Sequence, residues 1–250
     1  PILDCYKLSD SYTKATRLWR IDLGSNIRAG SHYTQFMVYD FDGDGKAEMI
    51  CKTAPGSKDG AGNYVSEASD DTAIKNVNNR LSFVNGDGHI LRGAEFLTVF
   101  DGMTGAAIHT VWYTPNRAGG TGAAATHPTY ASFWGDVYGN RAERYLACVA
   151  YLAGADANPS AVMCRGYYTR AYLWAVDFDG QKLSTRWLHA SLSPTEVQLT
   201  DKDGSTQSWT YTTNTSGITG SGNTAYGQGC HNISVADVDN DGKDEIMFGG

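Results

Sequence analysis

The segment DFDGDGKAEMI, Asp40 to Ile50, places three aspartates at every second position and a glutamate four residues after the last. A hard divalent cation takes six to eight oxygen ligands from a loop that curls around it. Carboxylates at positions 1, 3 and 5 with glycine at position 6 therefore suit Ca²⁺. Asp40, Asp42, Asp44 and Gly45 meet that pattern, and Lys46 at position 7 and Glu48 at position 9 extend the candidate ligand set. An EF-hand needs its glutamate at position 12, where Cys51 stands, and a helix after the loop, whereas MICKT reads as a short strand. The EF-hand reading fails, and the remaining alternatives are a calcium loop feeding a sheet and a solvated Asp/Gly turn.

A second copy favours the metal. DVDNDGKDEIMFG carries Asp237, Asp239, Asp241, Lys243 and Glu245 at the same offsets and again runs into an apolar strand. Between the two lies WGDVYGNRAERYLACVAYL, where Asp136 and Asn140 keep positions 1 and 5 while Tyr138 replaces the middle ligand. That third copy is expected to be degraded.

Stepping from Asp40 to Asp136 takes 96 residues and from Asp136 to Asp237 takes 101, a long and loose period. Each loop follows a hairpin-like segment that ends in tryptophan: Cys5 to Trp19, Phe96 to Trp112 and Tyr172 to Trp187. In TVFDGMTGAAIHTVWY and LWAVDFDGQKLSTRWL, Asp-Gly turns divide two alternating apolar runs. Helical periodicity is not sustained anywhere. The expected fold is all-β, a β-propeller whose blades carry calcium-binding loops, with a β-sandwich as the competitor that leaves the recurrence unexplained.

Composition agrees with a loop-rich β protein: 250 residues, 41% hydrophobic, suffice for a core, and 29 glycines with 19% charged residues argue against a helical one. A net charge of −7 argues against nucleic acid as a partner. No apolar run is long enough for a membrane span and no signal peptide stands at Pro1, so the expectation is a soluble chain, processed or excised from a longer one. The five cysteines form no metal or redox spacing, and Cys51 and Cys164, each following an apolar run, read as buried thiols.

Several long strings carry a resemblance. LWRIDLGSNIRAGSHYTQFMVYDFDGDGKAEMICKTA, EFLTVFDGMTG, WGDVYGNRAERYLACVAYL, PSAVMCRGYYTRAYL and GQGCHNISVADVDNDGKDEI resemble, in order, the rhamnogalacturonan lyases of polysaccharide lyase family 11. That resemblance implies an eight-bladed calcium-rich propeller that cleaves the rhamnogalacturonan I backbone of pectin by β-elimination at galacturonate. It also implies a secreted or extracellular, monomeric enzyme, with a cell-surface or periplasmic location as variants. This chain, residues 1–250, would be a partial propeller supplying about half the ring, with a loop insertion at about 191–226. It departs from the family at Pro55 in KTAPGS, where an aspartate is common, and at Cys230 in GQGCHN, where asparagine is usual. The family also implies that His231 helps hold a calcium with residues beyond Gly250.

Elimination removes the weakly acidic proton alpha to the uronate carboxylate and expels the sugar oxygen at C4, so cations must stabilise the charge that builds on the carboxylate and a base must reach the proton. The cationic and polar candidates at strand ends are Arg28 and His32 in NIRAGSHY, Lys52 in CKTA, and Arg165, Tyr168 and Arg170 in RGYYTR. For each the alternative is a structural ion pair. The catalytic base stays unassigned. A non-catalytic, calcium-dependent propeller that binds carbohydrate or protein is the competing function.

Overall fold

In the computed structural model, residues 1–117, 134, 138–168, 171–190, 199–200, 206–207 and 231–249 are described. Among them the chain is all-β, with short helical turns at Val65–Ala68 and Thr72–Lys75 and a helical residue at Trp134. None of these helices is long and apolar enough to cross a membrane. Two compact units divide the chain, Pro1–Pro128 and Thr129–Gly250.

In the first unit, β1 (Ile2–Leu8) and β2 (Ala15–Asp22) form an antiparallel hairpin that pairs Cys5 with Trp19. Next, β3 (Phe36–Tyr39), β4 (Glu48–Thr53), β5 (Phe96–Asp101) and β6 (Ala107–Trp112) make a four-stranded antiparallel sheet in chain order. All six residues of β4 are buried, as are the first five of β5, which is why both read as apolar runs and not as alternating strands. Met49, Cys51, Phe96 and Phe100 pack there with Trp19, Ile21, Leu23, Val65 and Ile74.

Three threonines interrupt this core and satisfy one another. Thr110 Oγ1 donates to Val65 O at 2.7 Å, Thr98 bonds Thr110 at 2.9 Å, and Thr53 bonds Thr98 at 2.7 Å. Because Thr110 spends its proton on a carbonyl, Thr98 must donate to Thr110 and Thr53 to Thr98, so the row has one sense. Left without a partner, a buried hydroxyl costs about 1–3 kcal/mol. At the β5–β6 turn, Asp101 Oδ1 accepts the N–H of Met103 and of Thr104, and Trp19 Nε1 donates to Gly102 O at 2.9 Å. Gly105 is left-handed there (φ +70), and a Cβ on it would stand 2.7 Å from the Trp19 ring, so a larger residue is refused twice.

The second unit repeats the arrangement. β7 (Tyr145–Ala150), β8 (Ser160–Arg165), β9 (Tyr172–Phe178) and β10 (Leu183–Ala190) form another four-stranded sheet in chain order. A short pair, β11 (Leu199–Thr200) with β12 (Thr206–Gln207), falls within the expected insertion; the rest of residues 191–226 lies outside the described residues. Lastly, β13 (Asn232–Ala236) and β14 (Glu245–Gly249) form a hairpin whose Ile233, Val235, Ile246 and Phe248 pack on Val162, Cys164, Leu173 and Ala175. The three tryptophan-ending hairpins expected from the sequence are β1–β2, β5–β6 and β9–β10.

Two cysteine expectations part company. Cys51 is a fully buried thiol whose pKa burial pushes up to about 12, leaving it inert. Cys164 is buried but disulfide-bonded, with its partner outside the described residues, so the free-thiol reading is corrected there.

On β10, His189 is 5% exposed, meets Phe248 edge-on and leaves Nδ1 without a partner. Burial lowers its pKa from 6.5 to about 4. The unfolded chain therefore takes up this proton first, and the stability held at neutral pH falls as pH drops through 6.5, levelling off below about 4. Such a shift corresponds to on the order of 3 kcal/mol. Denaturant unfolding at pH 7 and pH 4.5 is expected to show a smaller acid loss for His189→Leu than for wild type; equal losses would remove His189 as the sensor.

Candidate functional site

Two hairpin loops carry the acidic clusters. Residues 40–47 join β3 to β4 across the pair Tyr39↔Glu48, and residues 237–244 join β13 to β14 across Ala236↔Glu245. Their internal bonding matches at the sixth and ninth positions, while the second donor to the leading aspartate is the fourth residue in one loop and the fifth in the other. Asp40 accepts from Gly43 N (2.7 Å) and Gly45 N (3.0 Å), while Asp237 accepts from Asp241 N (3.2 Å) and Gly242 N (3.0 Å). Glu48 Oε2 accepts from Phe41 N, and Glu245 Oε2 from Val238 N, both at 2.9 Å. Gly45 and Gly242 are left-handed at φ +88 and +87, and the fourth loop positions, Gly43 and Asn240, are left-handed too. Glycine and asparagine are the residues that tolerate this backbone.

The loops bring together Asp40, Asp42 and Glu48 in the first case and Asp237, Asp239 and Glu245 in the second, each trio offering oxygens within 4.8 Å of one another. Ca²⁺ binds oxygen at about 2.3–2.6 Å, so two ligands across one ion stand up to about 5 Å apart, and both trios fit. Electrostatics agree. Burial, followed by the charges of Asp42, Asp40 and Asp44, raises the Glu48 pKa against the lowering effect of the Phe41 N–H, a cost that a divalent cation would reverse. Asp44 and Asp241 stand apart from the trios and hold Lys46 and Lys243, with Nζ–carboxylate distances of 3.3 and 3.4 Å. The fifth position and the lysine side chain thus form an exposed pair beside each cluster.

Neighbouring turns buttress both loops at the same position. A Cβ on Gly102 would lie 1.9 Å from Ala47 O. At the equivalent place Asp244 Oδ2 accepts from Tyr151 N at 2.6 Å, and Asp244 N donates to Tyr151 O at 3.2 Å.

The third copy sits elsewhere in the topology. Its Asn140 precedes β7, whereas the hairpin equivalent to the two loops is the β7–β8 connection, residues 151–159. Asn140 Nδ2 donates to the Tyr167 hydroxyl, and Asp136 lies outside the described residues.

Lys52 and Arg165 both lie near the ends of buried strands but one position out of step: counted from the hairpin pairs Tyr39↔Glu48 and Ala150↔Ser160, Lys52 is the fifth residue of β4 and Arg165 the sixth of β8. Both are enclosed, at 3% and 1% exposure. Lys52 Nζ lies 2.9 Å from Glu95, which Arg117 also meets at 3.2 Å. Arg165 Nε donates to Ala142 O at 2.7 Å, and its guanidinium lies 5.0 Å from the Trp134 ring and 5.4 Å from that of Tyr145. Arg28 stands over the Tyr33 ring at 4.1 Å in the segment entering β3, with exposed His32 beside it. Arg170 lies outside the described residues.

Tyr168 and His231 belong to a cluster that sequence reasoning did not assemble. Arg144 Nη2 lies 3.3 Å from His231 Nδ1, and His231 Nε2 lies 3.1 Å from the Tyr168 hydroxyl. Arg141 stands over Tyr168 at 5.7 Å and Arg144 over Tyr167 at 5.1 Å. Arg144 and His231 each directly precede the first strand of their sheet, β7 and β13. The available signal was the pair of arginines in NRAERYL just before a strand.

A family model of the C-terminal domain of rhamnogalacturonan lyase family 11 matches residues 1–205 and 199–250. The chain is 45% identical over 249 residues to the rhamnogalacturonan exolyase YesX of Bacillus subtilis (strain 168), covering 99% of this chain and 32% of that protein. Against the rhamnogalacturonan endolyase YesW of the same organism it is 44% identical, covering 99% of this chain and 31% of that one. Among solved structures, the Bacillus licheniformis rhamnogalacturonan lyase PL11 superposes with a TM-score of 0.73 at 46% identity, over 99% of this chain and 33% of that one. The chain spans about a third of the length of these curated relatives.

If each trio holds one calcium, chelation is expected to lower the unfolding midpoint by on the order of 10 °C, because ligand at about 100 times its Kd adds about 2.7 kcal/mol per site. Glu245→Gln should weaken one of two calorimetric binding events and spare the other. An unchanged midpoint after verified calcium removal, or equal weakening of both events, would refute the assignment.

Proposed function

This chain belongs to rhamnogalacturonan lyase family 11, and from that membership we propose that it is part of a calcium-dependent lyase that cleaves rhamnogalacturonan I by β-elimination at galacturonate. The observation that carries the reading is the 45% identity to a rhamnogalacturonan exolyase across 99% of this chain. The two chain-order four-stranded sheets support a propeller in which each is one blade, with β1–β2 and β13–β14 as parts of others. An eight-bladed ring then leaves about half to this chain. Calcium at Asp40, Asp42 and Glu48 and at Asp237, Asp239 and Glu245 would fix the hairpin ends of two such blades. When bound, it supplies positive charge against the acidic loops.

Substrate contact falls to groups that reach solvent. Arg28 and His32 in the first unit, and Tyr168 in the second, are exposed or half-buried. Lys52 and Arg165, being enclosed, act by holding the strand ends from which the neighbouring loops leave. The polymer is too large to enter a cell intact, so the enzyme acts outside it, where the Cys164 disulfide is also at home. It works as a monomer in this proposal, with the polysaccharide as its partner.

Incubation of the full-length protein with rhamnogalacturonan I and calcium is expected to release unsaturated uronate, followed by its ultraviolet absorbance, and chelator should abolish the release. Binding to the polysaccharide with no unsaturated product would overturn the lyase reading in favour of a calcium-dependent binding propeller.

A further inference from the structure

We infer that Arg141, Arg144, Tyr167, Tyr168 and His231 form a subsite for a uronate residue, in which the Tyr168 ring carries the sugar and the arginines meet its carboxylate. The inference rests on the lyase reading and names the residues through which the second unit would hold an acidic sugar.

The first support is a positive charge met by no carboxylate of the described residues. Arg144 is half-buried, and its contacts are the Tyr167 ring at 5.1 Å and His231 Nδ1 at 3.3 Å. His231 Nε2 in turn lies 3.1 Å from the Tyr168 hydroxyl. Arg144 Nε is shut off from solvent with no hydrogen-bond partner. A partly desolvated cation facing an imidazole and a ring face is costly, and a bound anion is what would offset it.

The second support is Tyr168. Its backbone is left-handed at φ +65, where a bulky residue is an outlier, yet the residue is 48% exposed. Burial of the ring does not account for that strain. Tyr167 at 4.4 Å and His231 at 5.3 Å fix the ring in place, and Arg141 stands over it at 5.7 Å. A fixed, half-exposed aromatic beside guanidinium groups suits a pyranose with an apolar C–H face and a carboxylate edge.

The test uses the full chain with calcium and two probes in calorimetry: rhamnogalacturonan I oligosaccharide, and the same oligosaccharide with its uronate carboxyls reduced to alcohols. Tyr168→Gly removes the ring while suiting the left-handed backbone, so its unfolding midpoint should not fall, and its affinity for the acidic probe should drop at least fivefold. Arg144→Gln keeps a donor for His231 and should weaken the acidic probe at least fivefold but the reduced probe less than twofold. Wild-type affinity in Tyr168→Gly, or equal losses on both probes in Arg144→Gln, overturns the subsite. Release of unsaturated product by wild type is read in parallel. Product release with unaltered variant binding defeats the subsite alone, whereas absent product with weakened variant binding defeats the lyase reading alone.

Discussion

Carboxylate crowding at two hairpin ends is the constraint that the described architecture has to meet. Closing β3 onto β4 brings Asp40, Asp42 and Glu48 oxygens within 4.8 Å of one another. At an effective dielectric of about 20, two unit charges at that distance repel by about 3 kcal/mol. A cross-strand pair contributes roughly 0.2–1 kcal/mol, so the four pairs of β3 with β4 do not offset three such repulsions. The main-chain N–H groups that Asp40 and Glu48 accept offset part of this, and a bound divalent cation would reverse the sign. Asp237 and Asp239 are exposed and better screened by water, so the penalty is larger in the first loop, where Glu48 is buried.

The same problem, charge without solvent, is solved twice more at the strand ends by different means. Lys52 shares Glu95 with Arg117, whose Nη1 also donates to Ile90 O, so one buried carboxylate serves two cations. Arg165, at the end of β8, has a main-chain carbonyl and two aromatic faces among its contacts. A guanidinium tolerates that environment better than an ammonium because it is planar and weakly hydrated. Both cations thereby tie a β-strand end to a distant loop.

The hairpins and the acidic loops were legible because they are local: alternation, Asp-Gly turns and the Asp-x-Asp-x-Asp-Gly spacing all fall within about a dozen residues. The third loop was not, since stepping 96 residues from Asp40 lands before β7 while sheet register places the matching hairpin at residues 151–159. Burial of Lys52 and Arg165 was invisible because the groups that enclose them, Glu95 and Trp134, lie 43 and 31 residues away along the chain. The Arg144–His231 contact bridges 87 residues and carries no periodic signal at all.

Although the two sheets share a topology, their middle connections differ greatly. β8 reaches β9 through residues 166–171, whereas β4 reaches β5 through residues 54–95. For a flexible chain the entropy of closing a loop rises with the logarithm of its length, so the sevenfold longer span costs about 2 kcal/mol more to close. Within that span Asn26 reaches across to Pro55 O and Leu81 O, and Asp59 gathers the N–H groups of Ala61, Asn63 and Ala107. These bonds divide one long closure into several short ones. The two central pairings of the described residues are thus kinetically unlike: one closes across a six-residue connection, and the other waits on the ordering of the loop that joins its strands.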